Sequence, residues 1–318
     1  MSRKPILCVG AFTCDLVLQV PELPVGPGKF LASRSTMVAA GMAASAATAV
    51  ARLGHPVALW ASAGDDMVGD FIVDEIARDG VDTRPIRRLS GVQSATAAIV
   101  VDGRGERSVV PFYDPALLCR PEAIPSIAEG EFSAVLVDVR WPAAAATALD
   151  QAREACLPAV LDLDVGSKET LTHLASRATH IVASLAGGRI LSGKETAADV
   201  VAAIASMYSA TVVVTDGGNG VVWRAAGDVA SSFAPAFRVE AVDTNAAGDI
   251  FHGAFVVGLA EQMSLDEAIR FASAAAAIKC TRYGGRSGAP TRPEVDEFLA
   301  GRADDGSKIQ SSFASSRN

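Results

Sequence analysis

The chain has 318 residues, half of them hydrophobic, 20% charged and 6% aromatic. That length and apolar content supply a large core, enough for one large α/β domain or for two domains. The net charge is −8 with no dense stripe of Lys or Arg, which argues against nucleic acid or an anionic membrane surface as a partner.

In chain order, residues 5–11 form a short apolar run that ends around Gly10 and reads as a buried strand. Residues 13–36 are polar and turn-rich, with Pro21, Pro24, Gly26, Pro27 and Gly28. A small-residue helix is expected over 41–53, stopped by Gly54, and a second buried strand over 57–62. Gly64-Asp65-Asp66 opens a helix over 67–78 that Gly80 closes. Residues 97–101 and 107–110 flank an Asp102-Gly103 turn, which predicts a β-hairpin. From residue 134 strand and helix patterns alternate, with strands over 134–139, 159–163, 179–183 and 211–215 and helices over 143–156, 171–178 and 198–208. This alternation predicts βαβ units and a mainly parallel sheet, whose ligands gather at the C-terminal ends of the strands. An Ala-rich helix is expected over 271–281, and the polar, Ser-rich end from 301 offers little to pack.

Cys8, Cys14, Cys119, Cys156 and Cys280 are scattered, odd in number and without a C-x-x-C pair, so they read as reduced thiols of a cytosolic protein. Four histidines are too sparse for a metal cluster of known spacing. No apolar run of about 18 residues suggests a membrane span. Met1-Ser2-Arg3-Lys4 leads into a strand rather than a signal peptide.

The densest chemistry lies in Val242-Asp243-Thr244-Asn245-Ala246-Ala247-Gly248-Asp249-Ile250-Phe251-His252-Gly253-Ala254-Phe255. Small residues fill the turn before a helix, and Asp249 falls in its first turn. A helix start offers free N–H groups and a positive dipole end, which together hold an anion. A carboxylate there repels an anion, which makes sense if Asp249 is a base. It would take a proton from an alcohol while N–H groups around Ala246, Ala247 and Gly248 hold a transferring phosphoryl group. The same Asp also suits the helix dipole without any chemistry. Neither G-x-x-x-x-G-K-[ST] nor the protein-kinase motif set occurs, so a bound ATP would be held another way. Val212-Val213-Val214-Thr215-Asp216-Gly217-Gly218-Asn219-Gly220 runs a strand into a glycine turn, which suits close approach of phosphates or an ordinary hairpin.

These strings resemble the ribokinase-like (PfkB) carbohydrate kinase family. Its signature is usually Asp-Thr-x-Gly-Ala-Gly-Asp, and Asp243 to Asp249 match it with Ala246 in place of the first Gly. Where that backbone needs a positive φ, alanine costs about 1 kcal/mol. Thr215-x-Gly217-x-x-Gly220 resembles the family's phosphate-side segment. Gly10 and Asp15 fit its first strand and sugar-binding Asp, and Ala40-Gly41-x-x-x-Ser45 stands where Gly-Gly-x-x-x-Asn is common. Gly64-Asp65-Asp66-x-x-Gly69 and Gly288-Ala289-Pro290 also match, so the resemblance spans residues 6–290.

The resemblance implies a three-layer α/β fold with a mainly parallel central sheet and a small β-sheet lid. Residues 1–12, 37–93 and 114–300 would form the core, 13–36 and 94–113 the lid, and 301–318 a flexible tail. It implies a sugar acceptor, with ATP and Mg²⁺ as cofactors and Asp249 as base. It places sugar contacts at Asp15, Gly41 and Ser45, and nucleotide contacts at Thr215, Gly217, Gly220, Asp243, Thr244, Ala275 and Gly288. Ser184-Leu185-Ala186-Gly187 stands where the family often has Asn-x-x-Glu, so no metal ligand carries over.

Asp138-Val139-Arg140-Trp141 and the stretch from Phe271 to Pro290 look like the branch containing 6-deoxy-6-sulfofructose kinases. That implies an anionic sugar met by Lys29 and Arg140. A cytoplasmic homodimer joined through the lid follows by analogy. Two other readings stay open. One is a nucleoside kinase, with Phe12, Phe30 and Phe112 as stacking candidates. The other is a sugar-binding or regulatory protein that has lost catalysis, favoured by Ala246, Ser45 and the missing Asn-x-x-Glu and opposed by Asp249.

Overall fold

Alternate residues of the first strand, Ile6–Val9 (β1), belong to different cores. Ile6 and Cys8 join one buried cluster, and Leu7 and Val9 join the other. The structure is a computed structural model that describes residues 3–104, 106–121, 125–127, 130–302 and 310–313. The further strands are Thr13–Gln19 (β2), Arg34–Ala40 (β3), Val57–Trp60 (β4), Ser62–Gly64 (β5), Arg87–Leu89 (β6), Thr96–Val101 (β7), Arg107–Phe112 (β8), Ala134–Val137 (β9), Ala159–Leu163 (β10), His180–Ser184 (β11), Thr211–Thr215 (β12), Val221–Arg224 (β13), Ser231–Ala234 (β14) and Gln310–Phe313 (β15). The α-helices are Met42–Arg52 (α1), Met67–Arg78 (α2), Pro142–Glu154 (α3), Lys168–Ala175 (α4), Leu185–Ser192 (α5), Ala197–Met207 (α6), Ala247–Ala260 (α7), Leu265–Cys280 (α8) and Arg292–Ala300 (α9).

The main sheet runs β15-β14-β13-β12-β11-β10-β9-β1-β4. From β4 to β12 the neighbours are parallel, and β13, β14 and β15 extend that edge antiparallel. The parallel strands are covered on both faces, so they read as continuous apolar runs such as Val212-Val213-Val214. Residues of α1, α2, α7, α8 and α9 fill one core, and residues of α3, α4, α5 and α6 fill the other. The expected parallel α/β sheet is thus observed. The helix expected over 271–281 begins earlier, at Leu265, because Ser264 and Glu267 form a capping box there.

A second sheet, β3-β2-β7-β8, draws on both segments that interrupt the alternating pattern. β3 runs past Thr36 because Met37 to Ala40 pair antiparallel with Leu16 to Thr13. Directly paired residues share a face, which gives the sheet two distinct sides. Asp15, Val17, Val38, Ala97, Ile99 and Val109 line a large cavity. The opposite side carries the row Met37, Leu16, Ala98 and Val110, exposed to solvent. Residues 303–309 and 314–318 of the expected tail lie outside the described residues, as does residue 105 of the hairpin turn. Among the described residues no helix is long and apolar enough to cross a membrane.

Candidate active site

The segment between β14 and α7 is pinned before the helix begins. The Asp243 carboxylate accepts from the backbone N–H of Asn245 at 2.8 Å, Gly284 at 3.0 Å and Gly285 at 3.1 Å. Burial opposes this charge, but those N–H donors and the neighbouring Lys279 ammonium hold the carboxyl below its usual value. Ala246 is the N-cap of α7 and sits in the left-handed region at φ 61°, ψ 7°. The position thus demands the conformation that glycine adopts freely, and alanine bears a cost of about 1 kcal/mol. No side chain caps this helix start, although the Ala247 N–H donates to the Thr244 carbonyl oxygen at 3.3 Å; N–H groups at a helix start without side-chain caps are suited to an anion.

Asp249, in the first turn of α7, accepts a hydrogen bond from the Ser45 hydroxyl. Burial pushes its carboxyl up to about 8, and the charges of Asp138 and Asp164 push the same way against the Ser45 bond. The Ser45 side chain is brought there by Gly41, the N-cap of α1 at φ 104°. A Cβ on Gly41 would lie 2.4 Å from the Ala11 carbonyl oxygen, so only glycine lets β3 turn into α1 at this point.

On the other side of the cavity, Asp15 on β2 accepts from the Thr13 hydroxyl at 2.7 Å. Burial raises its carboxyl to about 6, against the Thr13 bond. Asp138, just past β9, is buried and accepts from three backbone N–H groups: Ala11 at 2.7 Å, Arg140 at 2.8 Å and Ala43 at 3.1 Å. It thereby joins the end of β1, the start of α1 and the segment that carries Arg140. The Arg140 guanidinium lies 3.8 Å from Asp164, whose carboxylate accepts from Ser184 at 2.8 Å. Ser184 also caps α5, so a helix cap stands where the family often has Asn-x-x-Glu.

The cavity, of about 1000 Å³, brings together Asp15, Gly41, Ser45, Arg140, Asp243, Ala246 and Asp249. Thr244, Ala247 and Gly248 adjoin it at the helix start, and Arg107 from β8 donates to the Thr244 hydroxyl at 3.3 Å. Other expected residues fall elsewhere. Lys29 is exposed on the 21–33 excursion and does not line the cavity. Thr215 ends β12, and the tight 3₁₀ turn Gly217–Asn219 that follows, with Gly220 as its C-cap, lies outside it as well. Gly220 is buried, and a Cβ there would lie 2.3 Å from the Ala234 carbonyl oxygen. Gly288 is buried against Arg282 and Lys279. Ala275 has no exposed surface and packs within the core, so it offers no face to a nucleotide. Phe12, Phe30 and Phe112 are absent from the lining, whose aromatic residues are Tyr113 and Tyr283.

The residues that sequence reasoning missed are Asp164, Tyr113 and Lys279, together with Asp138 in its bonding role. An acidic residue closing an apolar core strand was the available signal for Asp138, because strand ends are where ligands gather.

Over residues 3–292 the chain matches the model for pfkB family carbohydrate kinases. The chain belongs to that family. It is 31% identical to the ribokinase of Haemophilus influenzae, over 93% of this kinase and 99% of that protein. A solved ribokinase candidate from Agrobacterium tumefaciens superposes with a TM-score of 0.92 at 43% identity, covering 95% of this kinase and 99% of that chain. A fructokinase from Xylella fastidiosa, solved with bound ATP, gives 0.78 at 27% identity, covering 95% and 99%. The fold is therefore the ribokinase-like one, and the chain is a phosphotransferase with an alcohol as acceptor.

Proposed function

We propose that this kinase transfers the γ-phosphoryl group of ATP to a primary hydroxyl of a sugar, with Asp249 as the base. One observation carries the reading. Asp249 stands in the first turn of a helix whose uncapped N-terminus opens on the same cavity as Asp15. The chemistry follows from those two elements. Asp15 accepts hydrogen bonds from sugar hydroxyls and orients the acceptor. Asp249 takes the proton of the attacking hydroxyl, and the N–H groups at Ala246, Ala247 and Gly248 stabilise the charge on the transferring group. The ATP held by the related fructokinase supports the donor. Mg²⁺ comes with it, because the triphosphate needs charge neutralisation to act as a donor.

Residues 13–36 and 94–113 are read as a lid over the sugar and the rest of 1–300 as the core. The exposed row Met37, Leu16 and Val110 on the outer side of the lid supports a homodimer formed through it. Arg140, at the cavity wall, suits a sugar that carries an anionic group, as in the sulfofructose kinase branch.

ATP turnover across D-ribose, 2-deoxy-D-ribose, D-fructose, D-fructose 6-phosphate and 6-deoxy-6-sulfo-D-fructose tests the acceptor. Asp249→Asn is expected to lower kcat by about 10²- to 10⁴-fold while sugar affinity survives. Parent-like turnover in that variant removes Asp249 from the role of base.

A further inference from the structure

Lys279 has no exposed surface, although it carries an ammonium group. It lies near the end of α8, on the helix stripe that also holds Ala272 and Ala275. Its Nζ donates to the backbone carbonyl oxygen of Asp243 at 2.6 Å and stands 3.2 Å from the carboxylate Oδ2 of the same residue. That oxygen also accepts from the N–H of Gly284 and Gly285. Val242 and Asp243 in turn donate their N–H groups to the Cys280 carbonyl oxygen, at 2.7 and 3.1 Å. The ammonium therefore sits where three segments cross: residues 242–245, the end of α8 and the turn at 284–285.

A charge held out of water is costly, and an apolar side chain of the same volume fills such a place at lower cost. What the lysine adds over an apolar residue is a cation at the root of the loop. That loop continues directly into Ala246, whose left-handed backbone is not a conformation that alanine adopts by itself. Something outside the loop has to hold it. The Asp243 clamp is the nearest fixed structure, and Lys279 contacts both its main chain and its side chain. The space is closed as well, since a Cβ on Gly288 would come within 3.4 Å of the Lys279 Cε.

We infer that Lys279 is a built-in cation that positions the anion-binding loop for phosphoryl transfer, acting through Asp243. It is a positioning residue, and the inference rests on the reading of residues 246–248 as the phosphoryl site. Because the ammonium is already in place, the parent has no need of a small cation from solution at this point.

The test compares the parent with Lys279→Met, which keeps bulk and drops charge, and with Lys279→Ala, which leaves room for a small cation. ATP affinity is measured by calorimetry, and kcat and sugar KM with the best acceptor of the panel. Lys279→Met is expected to lower kcat by about 10²-fold and ATP affinity by about tenfold, with sugar KM changed by less than about threefold. In Lys279→Ala, ethylammonium or potassium is expected to restore at least about tenfold of the loss, whereas tetramethylammonium restores none and the parent responds to none of them. If the alanine variant is unfolded, recovery of its near-UV circular dichroism by ethylammonium but not by tetramethylammonium counts in the same way. A Lys279→Met enzyme equal to the parent overturns the inference, as does a Lys279→Ala enzyme that gains nothing from either small cation. A parent that binds no ATP overturns the proposed function along with it, so the two failures are distinct.

Discussion

At the scale of single residues, the proposed base Asp249 sets the expected pH response. Burial raises its carboxyl to about 8, so with Asp249 as the proposed base the protonated form competes with the reactive carboxylate near neutral pH. The kcat/KM value is therefore expected to rise as pH increases and to level off above about pH 8, because this ratio reports the free enzyme's groups. A profile flat between about pH 6 and pH 9 would contradict that assignment. Asp249 was legible in the sequence because its string of small residues before a helix is local. Ala246 was legible as a question, and its backbone angle of 61° answers it: the position requires the left-handed turn. Lys279 was harder to see. Its partner lies 36 residues away, and only its place on an otherwise apolar helix stripe hinted that its charge is buried.

At the scale of elements, one arginine joins the pieces that surround the site. Arg286 is buried, with its Nη2 2.7 Å from Glu75 and its remaining donors on Asp79, Thr48 and the Ala39 carbonyl oxygen. It thus links α2, α1 and β3 to the turn after α8. The elements themselves were largely readable, since each parallel strand is an apolar run and several helices carry a cap residue at the start. The joins were not, because they pair residues more than 200 positions apart. The contact of α1 with α7 is another such join. A Cβ on Gly253 would lie 2.5 Å from the Ala46 carbonyl oxygen and 2.8 Å from the Ala49 Cβ. Gly253→Val is therefore expected to lower stability by about 1–3 kcal/mol in urea denaturation. It should also lower kcat, since α1 carries Ser45 and α7 carries Asp249. Unchanged values in both measurements would show that the two helices need not approach so closely.

At the scale of the whole molecule, the small sheet serves two purposes with one set of strands. Its inner residues wall the cavity, and its outer row of Met37, Leu16, Ala98 and Val110 is an exposed apolar strip, the face on which the proposed homodimer would form. Val110→Lys, with Val110 at 69% exposure, is expected to convert a dimer to a monomer in sedimentation velocity without unfolding either chain. A parent that sediments as a monomer at all concentrations would leave the strip without this role. Residues 13–36 read in the sequence only as a polar, turn-rich stretch, so the alternation of β2 was not legible, and which side faces the cavity depends on pairing with β3 and β7. The two sides are interleaved residue by residue, so a single inserted amino acid within β2 would exchange them. Asp15 would then face outward and Leu16 would face the cavity. The small sheet can accordingly drift in sequence over evolutionary time, but the length of β2 cannot change by one without exchanging its cavity face for its solvent face.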